Sequence, residues 1–257
     1  MSVLVAARPS DSTRSSDRTH AAARPRDLAR PLSRGATRLD DRASGTTLVM
    51  STPSMDRALW EDYLDAADVS YSRHGVSIAL DAARVRDGRD TAVFFAAVDA
   101  SGTVVGGVRG QGPYLSAQQS HALVEWAGNA DRPRVEALIT DRLPHGVVEM
   151  KSAFVSTTAE APGALSALLS RTALPTMVFT GARFVMATAA DHVLRRWESG
   201  GGRVTEAIAP AAYPDERYRT RMMWWDRDSL DRDVAPEVWD RIAAETEMLT
   251  GRDIIAA

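Results

Sequence analysis

The stretch that decides the fold is Val147-Val148-Glu149-Met150-Lys151-Ser152-Ala153-Phe154-Val155-Ser156, which is followed by a polar turn and a run that begins near Pro162. Successive side chains of the first run would point to opposite faces, as they do in a β-strand. Proline is favoured at the first position of a helix, and Leu165, Leu168 and Leu169 recur at helical spacing. The stretch therefore predicts a strand that leads directly into a helix.

The same order of elements is repeated downstream. Arg183 to Thr188 is a second strand-like run, and a second helix is predicted from about Ala189 to Glu198, before three consecutive glycines. Strand, helix, strand and helix in this order predict two adjacent parallel strands. The loop between the first strand and its helix gathers free N–H groups at the positive end of a helix dipole, so it is a candidate phosphate site. A purely structural crossover has the same pattern.

An antiparallel hairpin is predicted upstream, from Thr91–Val98 and Thr103–Arg109, and Asp56 is a candidate cap for the helix that precedes it. The pair Gly106-Gly107 predicts a bulge or the close approach of another backbone or of a ligand. Further elements are predicted as helices from Ser116, over 133–142 and over 236–250, a less certain helix reaching about residue 84, and strands over 203–208 and 221–226. The chain is thus α/β, with a mixed central sheet that is antiparallel at its N-terminal side, parallel in the middle and flanked by helices.

Composition narrows the class of protein. The chain has 257 residues, of which 44% are hydrophobic and 25% charged, which suits a soluble globular domain. Its formal net charge of -3 gives no indication of a nucleic-acid partner, and no apolar run is long enough to span a membrane. Cysteine is absent, which excludes disulfides and Cys nucleophiles, and no histidines lie at metal-ligand spacing, so no metal is expected. The predicted location is the cytoplasm.

Residues 1–50 differ in character from the rest of the chain. Nine arginines and five aspartates are spread among Ser, Thr, Ala and Pro without an apolar period, which predicts a disordered tail. A basic arm that touches nucleic acid or lipid, or an extension upstream of a start at Met50 or Met55, are the alternatives. The acids dilute the positive charge and argue against the basic arm. The predicted division is therefore a tail over 1–50 and one domain over 51–257.

Two short motifs carry a resemblance to a known family. The first is Val104-Val105-Gly106-Gly107-Val108-Arg109-Gly110-Gln111-Gly112-Pro113-Tyr114, and the second is Val148-Glu149-Met150-Lys151-Ser152-Ala153-Phe154-Val155. The first is similar to the G-x-x-R strand and G-P turn, and the second to the E-L-S-R-F-x-V strand, of the autoinducer (acyl-homoserine-lactone) synthases and long-chain N-acyl amino acid synthases of the GNAT acyltransferase superfamily. Asp90 matches an acidic position of that family more loosely. Ser152 replaces the arginine of the second motif, which puts homoserine-lactone chemistry in doubt.

The resemblance implies an N-acyltransferase that moves an acyl group from a thioester, either acyl-CoA or acyl carrier protein, to a small amine such as an amino acid. Glu149 is the candidate base; as an acid in an apolar strand it is expected to face water, to have a raised pKa, or to be a salt-bridged structural acid. Arg109 is expected to pair with Glu149 or with a substrate carboxylate. Tyr218, in a charged loop, is the candidate acid for the leaving thiolate.

The donor is expected at the strand that carries the second motif and in the turn after it. The implied binding residues are Phe154, Val155, Ser156, Thr157, Thr158 and Gly163. The glycine-rich form of this turn is absent, which weakens the case for CoA and keeps acyl carrier protein open. Lys151 is expected to be exposed, His192 to be a partly exposed structural residue, and Trp224 and Trp225 to point to opposite faces. A non-catalytic module that senses a thioester, or serves as a scaffold, is the rival function.

Overall fold

A computed structural model describes residues 37–75, 80 and 85–254. One sheet of eight strands runs through them in the order β1-β2-β3-β4-β5-β6-β8-β7. The strands are β1 (Thr37–Asp41), β2 (Thr46–Ser51), β3 (Thr91–Val98), β4 (Val104–Gln111), β5 (Val147–Val155), β6 (Phe184–Ala190), β7 (Arg203–Val204) and β8 (Thr220–Asp226). The mixed α/β sheet flanked by helices is confirmed.

Strands β5 and β6 are parallel, whereas the other neighbouring pairs of the described sheet are antiparallel. Their register runs from Val147↔Phe184 to Glu149↔Met186 and does not continue in the described strands, although both extend further toward their C-terminal ends. The two strands therefore splay apart after Glu149. This splay is the feature of the sheet that positions the candidate site.

The helices begin and end where the sequence supplies the appropriate residues. Asp56 caps α1 by accepting a hydrogen bond from the Leu59 N–H at 3.1 Å, and the last helix ends at Gly251, which has a left-handed φ of 68°. The α-helices of the described residues are α1 (Arg57–Arg73), α2 (Ala122–Glu125), α3 (Arg132–Arg142), α4 (Pro162–Ser170), α5 (Ala173–Thr180), α6 (Leu194–Glu198), α7 (Leu230–Asp233) and α8 (Pro236–Thr250).

Two glycines on β4 show that α1 and α4 cover opposite faces of the sheet. A Cβ on Gly107 would lie 2.8 Å from the Tyr63 ring of α1, whereas a Cβ on its neighbour Gly106 would lie 2.9 Å from Leu165 of α4. The atom nearest to a Cβ on Gly107 would be the Phe95 carbonyl oxygen of β3, at 2.5 Å, so the predicted close approach of another backbone is confirmed at Gly107. We call the two sides of the sheet the α1 face and the α4 face.

Strand β5 carries a bulge opposite Val108. Two residues, Ser152 and Ala153, lie opposite this single residue of β4, because the register shifts between Gly107↔Phe154 and Arg109↔Lys151. Ser152 has a φ of 54°, a left-handed value that costs a residue with a Cβ about 1–2 kcal/mol. Tyr63 of α1 stabilises the bulge by donating its O–H to the Ser152 carbonyl at 2.9 Å.

The structure corrects several boundaries. Residues 37–41 and 46–51 form β1 and β2, so the prediction of a disordered tail is wrong for residues 37–50, while residues 1–36 lie outside the described residues. Strand β1 contains one apolar residue, Leu39, so it has no apolar alternation that would have predicted the strand pair. Two helices, α4 and α5, connect β5 to β6 where one was predicted, and the strand predicted over 203–208 is reduced to β7. The uncertain helical segment reaching residue 84 lies mostly outside the described residues.

Candidate active site

Glu149 lies on β5 at the last paired position before the splay, and its side chain is fully buried. Its Oε2 accepts hydrogen bonds from Tyr114 Oη at 2.6 Å, Ser120 Oγ at 2.9 Å and the His121 N–H at 3.1 Å. Its Oε1 accepts one from Lys151 Nζ at 3.3 Å. The carboxylate therefore holds the segment after β4 against the sheet.

Burial raises the pKa of Glu149, but Lys151 and the hydrogen bonds from Tyr114 and Ser120 outweigh it, so the pKa lies below its usual value. The expectation of a raised pKa or a water-facing carboxylate is wrong, and the salt-bridged acid is what the structure contains. Burial, and next the negative charge of Glu149, raise the pKa of Tyr114 well above its usual value, so this phenol remains a donor. Glu149 is accordingly ionised at neutral pH.

Lys151 is 4% exposed, so the expectation of a solvent-exposed lysine is also wrong. Its Nζ lies 3.3 Å from Glu149 Oε1 and 4.0 Å from Glu125 Oε1, and Glu125 also contacts His121 Nδ1 at 3.1 Å. Burial lowers the pKa of His121, and the ring of Tyr213 lies edge-on to its imidazole, 5.6 Å away. Lys151, Glu149 and Glu125 form a buried group on the α1 face, beside the splay, with His121 and Tyr213 next to it. We call these three side chains the charged cluster.

Arg109 lies on the α1 face, as Glu149 does, because it is paired with Lys151 across the β4–β5 ladder. The guanidinium contacts Asp90 Oδ1 at 3.0 Å, and it donates further hydrogen bonds to Thr91, Gln111 and Ser152. Its ion-pair partner is Asp90 and not Glu149, so the predicted Arg109–Glu149 pair is wrong. The guanidinium braces the loop before β3 and the bulge of β5.

We expect Arg109→Lys to lower the free energy of unfolding by about 1–3 kcal/mol, because a lysine preserves the charge but leaves buried partners of the guanidinium unpaired. Asp90→Asn should cost less, since the side chain of Asp90 is 37% exposed. Urea unfolding of both variants measures the difference. If Arg109 instead held a substrate carboxylate, Arg109→Lys would raise KM for the amine while leaving the unfolding midpoint unchanged.

Tyr218 lies in the loop before β8. It is half-buried, and its ring centroid lies 6.4 Å from that of His192, which follows the end of β6 and is exposed rather than partly exposed. The open end of the splay is at this end of β6, because its register with β5 stops at Met186. The structure thus places Tyr218 near His192 and Tyr213 beside the cluster.

The donor residues implied by the resemblance follow one another from the buried end of β5 to the exposed start of α4. Phe154 and Val155 end the strand, and the segment continues through Ser156, Thr157 and Thr158 to α4. The N-cap of α4 is Ala161, which offers no side-chain acceptor, so the first N–H groups of the helix, including that of Gly163, are not capped by a side chain. Arg73 of α1 donates to Thr157 Oγ1 at 2.6 Å and brings a positive charge to the loop.

Tyr114, Ser120, His121 and Glu125 were missed as site residues. They belong to an irregular segment that contacts β5 across the chain, and a sequence pattern carries no signal for such a contact. Tyr114 could have been predicted as a site residue, because it is the last residue of the G-P motif quoted above. Trp224 and Trp225 do point to opposite faces, as predicted: Trp224 packs with Phe184 on the α1 face, and Trp225 packs with Trp197 of α6.

Comparison with known proteins decides the family. Uncharacterized proteins of Mycobacterium tuberculosis and Mycobacterium bovis are 48% identical to the chain over 209 residues, which is 81% of this chain and 79% of theirs. The chain belongs to the same family as these mycobacterial proteins. No protein-family model matches it.

Comparison with solved structures confirms the GNAT fold. FeeM, an N-acyl amino acid synthase from uncultured soil microbes, overlaps with a TM-score of 0.53 at 13% identity, over 76% of this chain and 97% of FeeM. At this identity the likeness shows the fold alone. A CoA-dependent acyl-homoserine lactone synthase, BjaI, overlaps with a TM-score of 0.47 at 19% identity, over 77% of this chain and 88% of BjaI, and it adds nothing further.

Neither a membrane-spanning helix nor a metal site is found among the described residues. None of their helices is both long and apolar enough to cross a membrane. Within the same residues no group of three or more His, Cys, Asp or Glu side chains is arranged to hold a metal ion. The cytoplasmic location and the absence of a nucleic-acid partner stay predictions.

Proposed function

We propose that the protein is an N-acyltransferase that moves an acyl group from a thioester donor to a small amine. The observation that carries the proposal is the splay between β5 and β6, which begins at the rung that holds the ionised Glu149 and, next to it, the buried Lys151. A gap between two parallel strands exposes backbone groups that can hydrogen-bond an extended ligand. A preorganised charged cluster beside such a gap suits a reaction in which charge develops.

In this proposal the donor lies in the splay, between β5 and β6. The edge of Phe154–Ser156 would bind the pantetheine arm by hydrogen bonds, and the loop from Thr157 to Gly163 would receive the phosphate end at the start of α4. Acyl-CoA and acyl carrier protein both present this arm, so both are candidate donors. FeeM is described as an N-acyl amino acid synthase, which makes an amino acid one candidate for the amine.

Glu149 is proposed to accept the proton of the attacking ammonium, directly or through water. It is ionised at neutral pH, which is the state that a base requires, although its lowered pKa makes it a weaker base than a carboxylate whose pKa lies near the working pH. Arg109 is proposed as a positioning residue, because its contacts hold Asp90 and the bulge at Ser152, which is on the same strand as Glu149. Tyr218 is proposed to protonate the leaving thiolate at the open end of the splay.

A direct test combines the purified protein with acyl-CoA donors of increasing chain length, or with acyl carrier protein loaded with the same acyl groups, and with a mixture of amines. Mass spectrometry of the products identifies both the acyl group and the amine. An N-acyl product that requires the protein supports the proposal. Donor hydrolysis without an N-acyl product, for every donor and amine, contradicts it.

A specific observation favours the rival, a non-catalytic thioester sensor. Both oxygens of Glu149 and the guanidinium of Arg109 already bind groups of the protein, as purely structural residues do. A sensor would show a rise in melting temperature with acyl-CoA and no transfer in single-turnover experiments with any amine. The enzyme would show both effects.

We expect Tyr218→Phe to slow single-turnover transfer by about 10²-fold or more, because general acids typically contribute that much. Tyr213→Phe is the matched control, since it also removes a phenol hydroxyl from this loop, at the position beside His121. Equal rates for Tyr218→Phe and the wild type would remove Tyr218 from the mechanism. A larger loss in Tyr213→Phe would transfer the role to the tyrosine beside the cluster.

A further inference from the structure

Thr188 is a residue of β6 to which the proposed mechanism assigns no role. It lies two residues beyond Met186, the last residue of β6 that is paired with β5. Side chains two apart on a strand share a face, so Thr188 lies on the α1 face, as does Lys151, which is two residues beyond Glu149 on β5. Thr188 and Lys151 are therefore the first side chains that flank the splay on this face.

The hydroxyl of Thr188 is buried and has no hydrogen-bond partner among the described residues, and the residue is 0% exposed. Its strand neighbours on the same face are Met186 and, across the ladder, Met222, which offer an apolar surface. Buried hydroxyls are nearly always paired, and an unpaired one lowers stability. A valine would fill the same space without that cost, so the stability of the fold does not account for the hydroxyl.

We propose that Thr188 is a catalytic residue whose hydroxyl donates a hydrogen bond to the carbonyl oxygen of the bound thioester; this inference rests on the proposed acyl transfer. The amine nitrogen attacks the carbonyl carbon, a C–N bond forms, and the carbonyl oxygen gains negative charge. When the intermediate collapses, the C–S bond breaks, its electron pair leaves with sulfur, and the thiolate takes a proton from Tyr218. The nitrogen, which gave one proton to Glu149 before the attack, loses its second to water as the amide forms, and water restores the proton of Tyr218. The oxygen is the atom on which charge develops, so a donor placed there lowers the barrier.

The position of Thr188 fits this role. A donor in the splay passes between β5 and β6, and Thr188 stands on the β6 side of the gap while Lys151 stands on the β5 side. The hydroxyl is out of contact with water, and a hydrogen bond is stronger in such an environment than in solvent. The nucleophile would approach from the cluster of Lys151, Glu149 and Glu125 on the same face.

The test compares Thr188→Val, which removes the hydroxyl at nearly constant volume, with Thr188→Ser, which preserves it. Single-turnover transfer from octanoyl-CoA should fall about 10²–10³-fold in Thr188→Val and stay near the wild-type rate in Thr188→Ser. The melting temperature of Thr188→Val should be unchanged or higher, because an unpaired hydroxyl has been removed. A structural role predicts the opposite pair of results, a lower melting temperature with an unchanged rate per folded molecule.

A second readout does not depend on turnover. Octanoyl-CoA labelled with ¹³C at the thioester carbonyl, bound without an amine, should absorb at a lower wavenumber in the wild type and in Thr188→Ser than in Thr188→Val. Thr176→Val is the control, because Thr176 is a buried threonine of α5 whose hydroxyl bonds within the helix, so the band should not move. An unchanged band and rate in Thr188→Val overturn the inference while acyl transfer stands. A wild-type protein that neither binds nor transfers the acyl group overturns both.

Discussion

A chain that begins at residue 52 is expected to lose cooperative folding. Such a truncation removes β1 and β2, and with β2 it removes the buried side chains of Leu48, Val49 and Met50. Burying a large aliphatic side chain contributes about 1.5–3 kcal/mol, so three of them contribute about 5–9 kcal/mol. This loss is comparable to the whole stability of a typical domain, about 5–15 kcal/mol. Circular dichroism during heating should show no cooperative transition.

The matched control removes residues 1–36 only and leaves every described strand in place. We expect this chain to unfold cooperatively near the melting temperature of the full protein. A chain from residue 52 that melts like the full protein would show that β1 and β2 are dispensable. A chain started at Met55 should behave like the longer truncation, which makes the alternative start considered above testable by the same measurement.

The fold was largely within reach of the sequence, because strong local patterns carried it. Thr91–Val98 and Pro236–Thr250 were predicted to the residue, and Asp56 was identified as a cap from its type and place alone. Strand β1 was missed because a five-residue strand with one buried side chain, Leu39, resembles a polar loop. Its stability comes from pairing with β2, which is a tertiary effect.

The charged cluster was less accessible than the fold. Glu149 was singled out because a carboxylate inside an apolar strand is unusual, and its burial justifies that choice. Lys151 was misjudged because a lysine is normally exposed, whereas here two glutamates offset the cost of burying its charge. One of them, Glu125, is 26 residues away along the chain. No period or motif encodes a contact of that kind, so only the folded chain discloses it.

The second large effect on stability is expected at the buried ion pair of Glu149 and Lys151. Glu149→Gln is expected to lower the free energy of unfolding by about 3–5 kcal/mol, because it breaks a fully buried ion pair from one side. The amide would also direct its NH₂ group either at the ammonium of Lys151 or at the donors Tyr114 and Ser120. Glu216→Gln is the control, since that glutamate is exposed and should change stability by less than about 0.5 kcal/mol.

Lys151→Met should cost a similar amount, and the double variant should cost less than the two single changes added together. In the double variant neither charge is left buried alone, so a coupling of about 0.5–3 kcal/mol is expected. Urea unfolding of the wild type and the three variants gives this value. Strict additivity would show that the two side chains do not act as a pair.

The pH dependence checks the same pair independently. The pKa of Glu149 is lowered in the folded protein, so its contribution to stability is present above the unfolded value of about 4.3. It is lost as the pH falls through the lowered folded value. The difference in unfolding free energy between the wild type and Glu149→Gln should therefore be largest near pH 7 and should narrow as the pH falls below about 4.

The same variant tests the role of Glu149 in the proposed reaction. If Glu149 accepts the proton of the amine, single-turnover transfer per folded molecule should fall by about 10²–10⁴-fold in Glu149→Gln. Measuring at a temperature well below the melting point of the variant separates this loss from unfolding. A variant that is destabilised as expected but transfers at the wild-type rate would leave Glu149 as the anchor of Tyr114, Ser120 and His121, and the base would then be a different group of the cluster.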